Sequence, residues 1–175
     1  PKRCKIARGN VNNHKESTQK STVDIGPTKG NDRIEFFIEK ATEIGVYQII
    51  PLLCSNNERD KVNIDRWKKV ALAATKQSNR SWLPIIGQPT KVSHLLEDNN
   101  LPSTKLIAYC EDLPEKSVND FSGEKEVIIL IGPEGDFTKQ EVAISEDKGF
   151  VRVNLGANRL RTETAGLVAL SRLLQ

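Results

Sequence analysis

The 175-residue chain contains no methionine, two histidines and three cysteines, and each shortage removes a class of chemistry. Cys4, Cys54 and Cys110 are odd in number and show no CxxC spacing, so neither a disulfide framework nor a cysteine-rich zinc site is expected. His14 and His94 stand far apart, which leaves little material for a histidine metal site or a Ser-His-Asp triad. No apolar run approaches the roughly 18 residues that a membrane-spanning helix needs, and the start lacks the pattern of a signal peptide. The expectation is therefore no metal, no membrane partner and a cytoplasmic location. A chain that opens on Pro1 without any methionine also suggests missing N-terminal sequence. The formal charge of +3 permits contact with a polyanion without demanding it.

What is present is an alternation of strands, turns and helices. Residues 126–131, EVIILI, are β-branched and nearly all apolar, as suits a strand covered on both faces. The chain must then turn sharply through GPEGDFTKQEV. Gly132 and Gly135 carry no Cβ and admit a close approach, and Thr138 with Glu141 three residues later has the form of a capping box. Alone, this is a tight strand-to-helix connection.

Upstream, residues 10–21 are polar and lack a core former, which marks a linker or exposed hairpin. A boundary belongs there, dividing residues 1–20, in which 5–7 read as the tail of a strand, from one domain over 21–175. Residues 21–27 read as a strand closed by Gly26 and Pro27. Asp32 can cap a helix carrying Ile34, Phe37, Ile38, Ala41 and Ile44 at helical spacing and stopped by Gly45. A strand over 46–52 follows, then a helix from Asn63 or Asp65 to Asn79 and an extended piece over 82–86. A short helix around His94, strands over 105–110 and 126–131, a helix over 138–148, a brief strand over 150–153 and a helix over 162–174 complete the chain. This alternation argues for an α/β fold with a mainly parallel sheet and helices on both faces.

Ligands of open α/β sheets bind at the carboxyl ends of strands, so function should be read in the segments 108–111, 131–136 and 154–165. None has the spacing of GxGxxG or a Walker A loop. The combination of IGPEGDF with LGANRLRTETAGLVAL resembles the knotted methyltransferases of the SPOUT superfamily. Within it, the chain resembles the ribosomal RNA small-subunit methyltransferase E family, which methylates N3 of a uridine in 16S ribosomal RNA. DRIEFFIEKATEIGVYQIIPL, residues 32–52, is similar to that family's first helix and second strand, so the resemblance covers 21–175. It implies a C-terminal deep trefoil knot, an exception to the rule against threading. It also implies a homodimer, S-adenosylmethionine held in a bent form among the three loops with S-adenosylhomocysteine as product, and small-subunit ribosomal RNA or the 30S subunit as partner. Family members carry an N-terminal PUA-like β-barrel that binds RNA, and residues 1–20 would be its remnant plus a linker.

The resemblance implies a cofactor site formed by Tyr109, Glu111, Ile131, Gly132, Pro133, Glu134, Gly135, Leu155, Gly156, Leu160, Arg161, Thr164 and Ala165. The residue chemistry agrees. Backbone groups can read a buried adenine where Gly132, Gly135 and Gly156 permit close approach, and methyl transfer from a sulfonium asks for positioning rather than a metal. Uracil N3 must lose a proton, and lowering its pKa by about two units takes roughly 2.7 kcal/mol. A cation near O2 or O4 could supply this, or a base could take the proton.

Arg161 is the candidate to hold the uracilate or an RNA phosphate, against a plain surface salt bridge. Glu163 is the candidate base, against a first-turn carboxylate favoured by the helix dipole. Thr162 and Thr164 can cap the last helix, and Glu134 can orient its loop by accepting from backbone N–H groups. Arg33, Lys40, Lys76, Gln77, Arg80 and Arg159 are the candidate RNA contacts, with Lys40 and Lys76 also readable as solvated surface. Trp82 either stacks on a base or, given its alternation with Leu83 and Ile85, packs in the core.

The family usually has glycine where Asp136 and Asn79 stand and glutamate at Lys76. Asp136 brings a Cβ and a negative charge to the cofactor loop, and either narrows the pocket or simply tolerates φ > 0. Two alternatives stay open: a non-catalytic knotted RNA-binding or ribosome-assembly module, and a ribose 2′-O-methyltransferase of the same fold.

Overall fold

The computed structural model describes residues 19–58, 61–111 and 114–174. The expected barrel remnant falls almost wholly on residues 1–18, outside the described residues. The elements run β1 (Lys20–Ile25), α1 (Asn31–Ile44), β2 (Gln48–Leu53), α2 (Ile64–Gln77), β3 (Ile85–Ile86), β4 (Thr90–Lys91), α3 (Val92–Leu95), β5 (Thr104–Ala108), β6 (Glu126–Ile131), α4 (Lys139–Asp147), β7 (Val151–Val153) and α5 (Thr162–Leu173). The strands form one sheet in the order β3-β2-β1-β6-β5-β7, with β4 pairing to β2. Every pairing among the described residues is parallel.

The apolar run of β6 follows from its central place. Val127, Ile129 and Ile131 pack into a core with Phe37 of α1, Ala71 of α2 and Leu170 of α5. Ile128 and Leu130 face the other way, toward Leu95 of α3 and Val142 of α4. Burying each such side chain contributes roughly 1.5–3 kcal/mol, so both faces drive the sheet into the middle layer, as expected for a parallel sheet.

Local chemistry sets most boundaries. Gly45 ends α1 at φ 116 with its N–H on the Ala41 carbonyl. Asn63 caps α2 by accepting from Arg66 N at 3.0 Å. At α4, Thr138 Oγ1 accepts from Glu141 N at 3.1 Å while Glu141 Oε2 accepts from Thr138 N at 2.8 Å, a complete capping box. Trp82 stacks on Tyr47 with ring centroids 5.4 Å apart, which gives it a packing role.

Three expectations are corrected. Asp32 does not cap α1, which begins one residue earlier behind Gly30. The carboxylate instead sits in the first turn, where the helix dipole favours it. Thr162 does not cap α5 either: Arg161 holds the cap position without a side-chain bond, and Thr162 is buried as the first helical residue. The segment 82–86 pairs only at Ile85–Ile86. The sequence reading also missed β4 and the 3-10 turn Val118–Phe121, whose own capping box joins Ser117 and Asp120.

Ile25 pairs with Ile131, Ile131 with Ala108, and Ala108 with Val153. These residues end β1, β6, β5 and β7, so the four strands finish in one row and release their loops along one edge of the sheet.

Candidate functional site

Along that edge the loops after β5, β6 and β7 enclose a cleft of about 810 Å³. Every residue expected at the cofactor site lines it except Thr164, and Arg159 lines it as well. Asn56, from the loop after β2, joins them. The sequence reading missed Asn56 although the rule that strand-end loops carry function applies equally to β2. Cys110, Lys139 and Asn158 also line the cleft without having been singled out.

The β6 loop is fixed from several sides. Glu134 Oε1 accepts from Lys29 N at 3.0 Å, a loop-orienting carboxylate of the expected kind. Its Oε2 is buried without a hydrogen-bond partner. Asn56 Nδ2 donates to the carbonyl oxygens of Gly135 and Asp136 at 3.2 and 3.1 Å. Ser55 donates from N and Oγ to Glu141 Oε1 at 2.8 and 3.0 Å, which ties the β2 loop to the cap of α4. Burial alone would raise the Glu141 pKa, but the bonds from Thr138 and Ser55 outweigh it and hold the carboxyl below its ordinary value.

Asp136 takes φ 58 and Asn79 takes φ 52, the left-handed region that Asp and Asn tolerate better than most residues. Asp136 Oδ1 accepts from Phe137 N at 2.8 Å, and the Cys110 N–H also donates to this carboxylate. Burial pushes the Asp136 pKa up, partly offset by these bonds and by the charge of Arg159. Burial, together with Asp136, likewise raises the Cys110 thiol.

The glycines divide their work differently from the expectation of three bare approaches to a ligand. A Cβ on Gly132 would lie 3.0 Å from Asp136 Oδ1, and one on Gly135 would lie 3.0 Å from Asn56 Cβ. These two make room for protein atoms. Gly156, at φ 111, has only Arg172 Nη2 at 3.9 Å, which leaves its cleft side open.

Arg161 is exposed and lines the cleft. Glu163 does not line it: the residue is 7 % exposed and Oε2 has no partner. On a helix, positions 163, 166 and 170 share a face, and here Gly166 and Leu170 are buried, so Glu163 is carried inward with them.

Among the candidate RNA contacts, Arg33 reaches the cleft rim, 3.9 Å from Glu134 Oε1. Lys40 pairs with Glu39 and Glu43 at 2.7 and 2.9 Å, and Arg80 donates to the Glu43 carbonyl at 2.8 Å. With Lys76 and Gln77 they belong to the ends of α1 and α2 remote from the cleft, because a helix joining parallel strands runs back along the sheet. Among the described residues, no group of three or more His, Cys, Asp or Glu side chains is placed to hold a metal ion, and no helix is long and apolar enough to cross a membrane.

A family model described as an RNA methyltransferase domain matches residues 15–174. Ribosomal RNA small subunit methyltransferase E of Buchnera aphidicola is 35% identical over 150 residues, covering 82% of this chain and 58% of the relative. The protein of the same name from Mesomycoplasma hyopneumoniae is 35% identical over 147 residues, covering 81% and 63%. The crystal structure of the Neisseria gonorrhoeae protein of that name, bound to S-adenosyl methionine, superposes with a TM-score of 0.78 at 29% identity, covering 87% of this chain and 64% of that one. The chain thus spans less than two thirds of each of these proteins. With a match over nearly its whole length and a cleft built from the motif-bearing loops, the chain belongs to the RNA methyltransferase domain family.

Proposed function

We propose that this chain is an S-adenosylmethionine-dependent methyltransferase acting on N3 of a uridine in small-subunit (16S) ribosomal RNA. The observation that carries the reading is the convergence of the loops after β5, β6 and β7 on one cleft with Arg161 at its wall. The names of the relatives and the S-adenosyl methionine bound to the Neisseria structure support it.

The residues present fit the cofactor. A cleft of about 810 Å³ lies within the usual range for small-molecule sites, and the orphaned Glu134 Oε2 is an acceptor that a ligand donor completes. When bound, S-adenosylmethionine supplies an electrophilic methyl group on a sulfonium. The main chain of 132–135 and 155–160 holds it, with Tyr109, Leu160 and Ala165 adding side-chain contact. Arg161 stabilises negative charge on the uracil carbonyl oxygens, and about two pKa units at N3 correspond to roughly 2.7 kcal/mol. Glu163, buried on the core face of α5, serves as a first-turn carboxylate and leaves the charge-stabilising role to Arg161.

Arg33 and Arg159 are the RNA contacts nearest the reacting base, while Lys76 and Gln77 meet a more distant segment. Lys40 and Arg80 already have partners within the protein. The family resemblance supports a trefoil knot formed by the last third of the chain, a homodimer, a remnant of an RNA-binding barrel over residues 1–20, and a cytoplasmic place of work where small subunits are assembled.

Two measurements test the reading together: calorimetric titration with S-adenosylmethionine, and nucleoside analysis of ribosomal RNA or 30S subunits after incubation with protein and cofactor. Saturable binding with N3-methyluridine as product is the expected result. A 2′-O-methylated nucleoside would reassign the acceptor. Absence of binding, with no competition by S-adenosylhomocysteine, would reduce the chain to a non-catalytic RNA-binding module.

A further inference from the structure

Asp136 is among the cleft-lining residues that lie outside the expected cofactor contacts, and it brings a carboxylate. It is held in place from several directions. Its backbone sits at φ 58, Phe137 N donates to Oδ1 at 2.8 Å, and Cys110 N from the β5 loop donates to the same group. Asn56 secures the peptide that carries it through the carbonyls of Gly135 and Asp136. A carboxylate so restrained cannot swing out to bulk water when a ligand enters, so its charge acts on whatever fills the cleft.

The same wall carries a second carboxylate. Glu111 Oε2 accepts from Tyr109 OH at 3.0 Å and lies 3.7 Å from Lys139 Nζ, so the Lys139 ammonium already stands beside Glu111. Arg159 acts on Asp136 through charge, and among the described residues the two form no direct ion pair. Partial burial disfavours the ionised form of Asp136, and a cation arriving in the cleft would restore it.

We propose that Asp136 is a charge-selecting residue, whose fixed carboxylate makes the cleft prefer the sulfonium-bearing methyl donor over the neutral thioether left after transfer. This rests on the reading of the cleft as the S-adenosylmethionine site. The donor carries one positive charge more than S-adenosylhomocysteine, while the two share adenosine, ammonium and carboxylate groups. Contacts to the shared groups bind both ligands alike, so only a charge near the sulfur end separates them. The preference also favours product release, because the attraction disappears with the methyl group.

The test is calorimetric titration of wild type, Asp136→Asn and Asp136→Gly with S-adenosylmethionine and with S-adenosylhomocysteine, read as the ratio of the two affinities. Asparagine and glycine both accept the positive φ; asparagine removes the charge and keeps an oxygen that can accept from Phe137 N, whereas glycine removes both. A unit charge facing another several ångströms away in a partly screened site supports a fall in the ratio of about five- to tenfold, carried by weaker donor binding. The same fall in both variants is the expected result. Equal weakening of both ligands would make Asp136 a loop-shaping residue only and would overturn the proposal, as would an unchanged ratio. If wild type binds neither ligand, the cofactor reading fails and takes this inference with it; if wild type binds both and the ratio stands still, the cofactor reading survives alone.

Discussion

The side-chain amide of Asn56 reaches from the loop after β2 to the main-chain carbonyl of Asp136, 3.1 Å away. It adds a brace from the β2 side to a loop that Lys29 N of the β1 loop also holds, through Glu134. Asn56→Ala removes this bond and the one to Gly135, each worth about 0.5–1.5 kcal/mol. S-adenosylmethionine affinity should fall by about tenfold and the unfolding midpoint by a few degrees, while far-ultraviolet circular dichroism changes little. Titration beside a thermal melt checks this, and undiminished affinity would mean that the loop keeps its shape without the brace.

Gly26 and Pro133 set the spacing between the β1 and β6 loops. A Cβ at position 26 would lie 2.6 Å from Pro133 N and 2.8 Å from its Cα. Neither main-chain atom can step aside easily, because Gly26 N is bonded to the Ile131 carbonyl at 2.9 Å. Gly26→Ala should therefore cost about 1–3 kcal/mol, or roughly 3–10 °C in the unfolding midpoint of a domain this size. A melt that matches wild type would remove the steric argument.

Where structure is local, the sequence was readable. The capping box of Thr138 and Glu141, the Gly45 stop and the two-sided apolar run of β6 each follow from residues close together in the chain. The segments IGPEGDF and LGANRLRTETA likewise stand at strand ends, and the fold brings them to one cleft. What escaped depends on contacts between distant segments. β4 is two residues long and exists because Leu52 and Leu53 lie beside it. Asn56 matters only because the β2 loop is carried next to the β6 loop, and Arg80 is occupied because the end of α2 meets the end of α1. The inward turn of Glu163, by contrast, was implicit in the 163, 166, 170 spacing.

Arg161 sits at the cap position of α5 with no side-chain cap bond, and it is exposed on the cleft wall. Truncation should therefore spare the helix and the cofactor while removing charge stabilisation. Arg161→Ala is expected to bind S-adenosylmethionine nearly as wild type does and to lose about 10²–10³-fold in methyl transfer, the scale seen when one charge-stabilising donor is deleted. The yield of N3-methyluridine per unit time, set against the binding isotherm, measures both halves. Wild-type turnover would take Arg161 out of the mechanism.

Asp24 lies in the middle of the sheet, paired in register with Ile50 of β2 and Leu130 of β6. It is fully buried, and neither carboxylate oxygen has a hydrogen-bond partner. Burial pushes its pKa well above the ordinary value, because an unpaired charge there would lose its hydration without compensation. In the unfolded chain the group ionises at about pH 3.9, whereas the folded chain keeps the proton to higher pH. Across that window the native state binds more protons than the unfolded state, so stability falls as pH rises, by up to about 1.4 kcal/mol per pH unit. The loss ends where the folded carboxyl itself ionises. Asp24→Asn cannot titrate, so its stability relative to wild type should climb from the acidic carboxylate range toward neutrality and then level off. Urea unfolding of both proteins at a series of pH values measures that difference, and a difference that does not change with pH would show that Asp24 is already ionised in the folded sheet.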